Sequence, residues 1–117
     1  MKYLIVINDA PYGTEKAYNA LRLGLQMQKD YKEIELRIFL LADSVGCAVL
    51  NQVTPQGYYN IERMLKGIIG RGGKVKACGT CLDARGLTST QLIERVEKSN
   101  LAEFTAWSVE SDRVITF

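Results

Sequence analysis

The sequence predicts an α/β fold: one domain on a mostly parallel sheet of about five strands, with helices on both faces. Three observations carry this. Tyr3-Leu4-Ile5-Val6-Ile7 is an unbroken apolar run rich in β-branched residues, which suits a strand buried on both sides. Strand-like and helix-periodic segments then alternate, the pattern of right-handed βαβ units. The chain has 117 residues without a linker, internal repeat or low-complexity stretch, enough for one core. A flavodoxin-like strand order is the expectation.

The polar stretch Asn8-Asp9-Ala10-Pro11-Tyr12-Gly13 ends the first strand, and Thr14 reads as the cap of a helix reaching about Lys29. Ala17, Ala20, Leu21, Leu23, Gly24, Leu25 and Met27 give it a broad apolar face. Ile34 to Leu41 reads as the second strand. Asp43 or Ser44 then caps a short helix over Val45 to Leu50, and Thr54-Pro55-Gln56-Gly57 reads as a turn. Asn60 caps a helix over Ile61 to Ile69, ended by Gly70-Arg71-Gly72-Gly73. That glycine run closes a helix and opens the strand Lys74 to Ala77, the reverse of a phosphate-binding loop. Gly79 to Gly86 reads as a short helix with a glycine stop. From Thr88 to Ser99 two readings compete, a capping box of Thr88 with Gln91 and a short strand around Val96. Asn100 with Glu103 opens a helix from Leu101 to about Ser111, with Leu101, Phe104, Thr105, Trp107 and Ser108 along one side. Arg113 to Phe117 is a final strand.

Composition removes several classes of function. Fifteen basic and thirteen acidic residues are interspersed, so the chain has no basic footprint for nucleic acid or an anionic membrane. Its apolar runs are too short to span a bilayer, and the start lacks a signal-peptide core, which makes the cytoplasm the expected location. Three cysteines and no histidine exclude a histidine-assisted hydrolase within the chain. They also leave too few ligands for zinc, so no metal is expected, and no cofactor.

The chemistry therefore falls to sulfur. Cys78 sits where a strand gives way to a helix, at the sheet rim where α/β proteins bind ligands, and a helix start lowers a thiol pKa. Cys81 lies three residues on, on the same face of that helix. A pair of small core hydrophobes is the bland alternative, and it is the preferred reading for Cys47, which lies in the apolar run Val45 to Leu50. Asp9, Tyr12 and Thr14 follow the first strand onto the same rim, where turn and cap roles compete with a site role. Tyr58, Tyr59 and Asn60 either line a pocket or form an oligomer contact. Arg85 either stabilises a sulfur anion or serves as a helix-end cation facing solvent.

The run Cys78-Gly79-Thr80-Cys81-Leu82-Asp83-Ala84-Arg85-Gly86 resembles the cysteine loop of the DsrE/DsrF-like sulfur-relay family, in particular its small YchN-like branch. Asn8 to Gly13, Gly57-Tyr58-Tyr59-Asn60-Ile61 and Asp112-Arg113-Val114-Ile115-Thr116-Phe117 resemble that branch in the same order, so the likeness covers essentially the whole chain. It implies that Cys78 accepts sulfane sulfur as a persulfide from a donor protein and passes it to an acceptor thiol. It also implies a homotrimer or homohexamer, and the loop tyrosines Tyr12, Tyr58 and Tyr59, large aromatics of the kind found at interfaces, lead us to expect Cys78 near a subunit boundary on the shared rim. Many family members lack a cysteine at the position of Cys81, so its part is open. Rival readings are a dithiol oxidoreductase using Cys78 and Cys81, an FMN-binding flavodoxin, for which Asn8 to Glu15 offers few hydroxyls, and a non-catalytic interaction subunit.

Overall fold

The computed structural model describes residues 1–117. In chain order the elements are β1 (Lys2–Ile7), α1 (Lys16–Asp30), β2 (Glu35–Leu40), a 3-10 helix (Ala42–Ala48), α2 (Ile61–Gly70), β3 (Lys74–Cys78), α3 (Gly79–Ala84), a 3-10 turn (Ser89–Gln91), β4 (Val96–Ser99), α4 (Leu101–Glu110) and β5 (Arg113–Thr116). The strands form one sheet in the order β4-β3-β2-β1-β5, every neighbouring pair parallel. The α/β class with helices on both faces is as expected. The flavodoxin order, in which the third strand is central, is not found. Here the chain steps in one direction from β1 to β4 and only then returns to the far side of β1.

Right-handed crossovers then fix the layers. α1, α2 and α3 cover one face, where Ile5, Ile7, Leu36, Ile38, Leu40, Val75 and Ala77 meet Leu21, Leu65, Ile68 and Leu82 in a core cluster of 21 buried residues. The last crossover carries α4 to the other face, where the cluster holds only 4: Leu4, Val6, Phe39 and Trp107. Two cations flank Trp107, Arg37 at 5.4 Å and Lys76 at 4.7 Å from the ring centroid. Ion pairs tie both to α4, Arg37 to Glu110 at 2.9 Å and Lys76 to Glu103 at 3.1 Å.

Several local expectations shift. The helix foreseen over Val45 to Leu50 is a 3-10 helix that begins at Ala42 and ends at Ala48. Val49 leaves it as extended chain because it bridges Leu92, and Ser44 turns inward to donate to the carbonyls of Ile7 and Leu41. Thr14 lies one residue before the N-cap of α1, and its hydroxyl donates to Asp9 at 2.9 Å. The competing readings between Thr88 and Ser99 are both present in succession, the capping box first and β4 after it. On α4 the apolar side is narrower than foreseen: Trp107 is buried while Leu101 is 75% exposed. Six residues apart at 3.6 per turn, the two point about 120° apart round the helix.

Candidate functional site

Cys78 ends β3, and α3 begins at the next residue. Its neighbour across the sheet is Ser99, which ends β4 just before α4. α3 leaves toward the first face and α4 toward the second, so Cys78 and Ser99 flank the crevice where the direction of winding reverses. In open α/β sheets that crevice, outside the carboxyl ends of the strands, is the place for ligands. Gly79 makes the junction possible. A Cβ there would lie 2.8 Å from the Ser99 carbonyl oxygen and 3.1 Å from Lys98 Cε, so any other residue forces β4 away from α3.

The surroundings divide the labour between the thiols. Partial burial by itself raises the pKa of Cys78. The Thr80 hydroxyl, the Cys81 thiol and the N–H groups of Cys81 and Thr80 outweigh it and hold the pKa below the ordinary value. The Thr80 Oγ1 lies 3.2 Å from Cys78 Sγ. Cys81 is pushed up, first by burial and then by its hydrogen bond to Cys78, while the Ala42 N–H and the Arg85 charge pull the other way. That N–H donates to Cys81 Sγ at 3.2 Å. It is aimed by an unusual backbone, since Ala42 has φ of 51°, left-handed territory that costs a residue with a Cβ about 1–2 kcal/mol. Cys47, by contrast, is fully buried, and desolvation pushes its pKa up to about 12.

Arg85 does not reach Cys78. Its Nε and Nη2 donate to Asp43 Oδ1 at 3.1 and 2.6 Å, and its Nη1 donates to the Cys81 carbonyl at 3.0 Å. It clamps α3 onto the 3-10 helix and presents its charge toward Cys81. Asp9 shares the rim, but β2 stands between β1 and β3, and the Asp9 carboxylate is engaged by Thr14. Tyr12 accepts from the Ile61 N–H at 3.0 Å and donates to Gln52 Oε1 at 2.7 Å. Asn60 caps α2 by accepting from the Arg63 N–H at 3.0 Å, and it donates to the Gln52 carbonyl at 3.1 Å. Tyr59 stacks on Tyr18 at 4.3 Å and on Tyr58 at 4.4 Å between ring centroids. Its hydroxyl is pushed up to about 12, chiefly by its hydrogen bond with Tyr58. Tyr12, Tyr59 and Asn60 thus form the collar of α2, a cluster distinct from the thiols.

Three participants had no place in the sequence-based candidate set. Thr80 sits inside the cysteine loop, and a hydroxyl two residues after a thiol at a helix start is a readable signal. The Ala42 N–H and the close approach of Ser99 to Gly79 are backbone features of long range, which residue identity does not encode. Nowhere do three or more Cys, Asp or Glu side chains gather closely enough to hold a metal ion. What the site offers is a thiol whose anion its neighbours favour, beside a second thiol whose anion they disfavour.

The DsrE/DsrF-like family pattern matches residues 1–117. Protein YchN of Escherichia coli is 39% identical, over 99% of this chain and 98% of that protein. An uncharacterised protein of Methanocaldococcus jannaschii is 41% identical over 100% of both chains. The crystal structure of the Escherichia coli YchN protein superposes with a TM-score of 0.92, covering 99% of this chain and 98% of that one. A structure from Methanobacterium thermoautotrophicum, 14% identical with a TM-score of 0.80, shares the fold. Matched along its whole length in sequence and in backbone, the chain belongs to the DsrE/DsrF-like family.

Proposed function

We propose that the protein is a sulfur carrier that holds sulfane sulfur as a persulfide on Cys78. The observation that carries this reading is the placement of Cys78 beside the crevice between α3 and α4, with Thr80 Oγ1 3.2 Å from its sulfur and neighbouring donors that lower its pKa. In loading, the Cys78 thiolate attacks the outer sulfur of a donor persulfide. A bond forms between the two sulfurs, the donor's S–S bond breaks, and the donor leaves as its thiolate. In delivery, an acceptor thiolate attacks the outer sulfur on Cys78, and Cys78 leaves as a thiolate. Its low pKa speeds that departure. No step needs a histidine.

A reducing compartment suits this chemistry, because all three cysteines are free thiols, and the cytoplasm is such a compartment. No helix is long and apolar enough to cross a membrane. The same reading includes a homotrimer or homohexamer that walls the crevice, supported by the apolar side chains left exposed on α4. The test is intact mass after incubation with inorganic polysulfide and desalting. The wild type and Cys47→Ser should each gain the mass of one sulfur, and Cys78→Ser should gain none. A Cys78→Ser protein that loads as well as the wild type overturns the reading.

A further inference from the structure

We propose that Cys81 is the resolving thiol of this site: it attacks the inner sulfur of a Cys78 persulfide, expels the carried sulfur as sulfide and leaves a Cys78–Cys81 disulfide. This rests on the carrier reading above, and it gives that carrier a second outlet besides delivery to an acceptor.

Two features of the fold point to it. Cys81 follows Cys78 by one turn, Cys78 at the N-cap of α3 and Cys81 at its third residue, so their side chains are neighbours on one face. Each sulfur is close enough to the other to shift its acidity. Cys81 also packs against the large core cluster, with Sγ bonded to the Ala42 N–H at 3.2 Å. Held there by the Ala42 N–H and one helical turn from Cys78, it is placed beside Cys78 Sγ itself, the inner sulfur of a persulfide. A strained non-glycine backbone persists where the surroundings impose it, and here it directs an N–H at the sulfur that must become negative in the attack.

The step balances. A loaded site holds Cys78 as a perthiolate and Cys81 as a thiol. The Cys81 proton passes to the outer sulfur, the bond between Cys78 Sγ and that sulfur breaks, and the bond between the two Sγ atoms forms. The outer sulfur leaves as HS⁻ with the electron pair of the broken bond. The sulfane sulfur is reduced to sulfide and the two cysteines are oxidised to a disulfide. An external dithiol then restores both thiols by exchange. Loading moves the neighbouring negative charge out by one sulfur, while the Ala42 N–H and the Arg85 charge stay beside Cys81.

The experiment loads the reduced full-length protein with one equivalent of inorganic polysulfide, desalts it, and follows intact mass and released sulfide in the absence of thiols. The wild type should first gain one sulfur. It should then convert to a species lighter than the reduced protein by two hydrogens, with one sulfide released per chain. In Cys81→Ser and Cys81→Ala the sulfur adduct should persist about tenfold longer or more, because the intramolecular nucleophile is gone. Adducts of equal lifetime in the wild type and both variants overturn the inference and leave the carrier reading standing. Absence of an adduct in every protein overturns both.

Discussion

At Cys47 the thiol is sealed in the core and its pKa is pushed up to about 12, whereas at Cys78 the neighbouring donors hold the pKa below 9.0. Iodoacetamide near about pH 7 should therefore label Cys78 first and Cys47 only on unfolding, since the thiolate is the nucleophile. Peptide mass mapping checks this, and early labelling of Cys47 contradicts it. The labelling rate should climb as pH rises through the Cys78 pKa. In Cys81→Ala the climb should move to higher pH, because a proton donor to the thiolate is removed. An unmoved profile would mean that Cys81 does not bond to Cys78. At this scale the sequence was legible where residue type carries the effect: Cys78, Cys81 and the inert Cys47. It left two readings open at Arg85, whose partners Asp43 and the Cys81 carbonyl come from the folded arrangement and hold it about two turns from Cys78.

The caps of α2 and α4 were readable because Asn60 and Asn100 each make the bond that defines a cap, to Arg63 and Glu103. The 3-10 helix was not, since its start at Ala42 and its stop before Val49 depend on contacts with Cys81 and Leu92, both about 40 residues away. Two substitutions separate the two clusters on the rim. Tyr12→Phe removes a hydroxyl bonded to Ile61 and Gln52, and it should cost about 1–3 kcal/mol of stability while sulfur loading on Cys78 continues. Gly79→Ala forces a Cβ against the Ser99 carbonyl and should cost about 1–3 kcal/mol as well. It should also slow loading, because the displaced atoms hold Cys78. Denaturant melts paired with intact mass check both, and loss of loading in Tyr12→Phe would join the collar to the site.

Across the whole molecule the two faces of the sheet are unequally covered, and α4 alone shields the second. Its outward side carries Leu101 at 75% and Val109 at 81% exposure, with Val114 on β5 at 47%. Surface of this kind favours burial against another protein. We expect Leu101→Glu with Val109→Glu to reduce the mass measured by light scattering, and Tyr59→Ala to leave it unchanged, since Tyr59 is stacked within its own chain. A wild type that scatters as a monomer sinks this expectation. The sheet and its layers were legible from hydrophobic runs and alternation, yet the strand order was not, because such patterns mark strands without saying which edge each one joins. That order has a practical side. Phe117 continues the ladder along β1, its N–H bonded to the Val6 carbonyl at 2.8 Å and its carbonyl to the Asn8 N–H at 3.0 Å. An affinity tag fused after Phe117 would emerge on the rim that bears Cys78, three strand spacings or about 14 Å along the sheet. One fused before Met1 would emerge at the opposite end of the strands, so purification handles belong there.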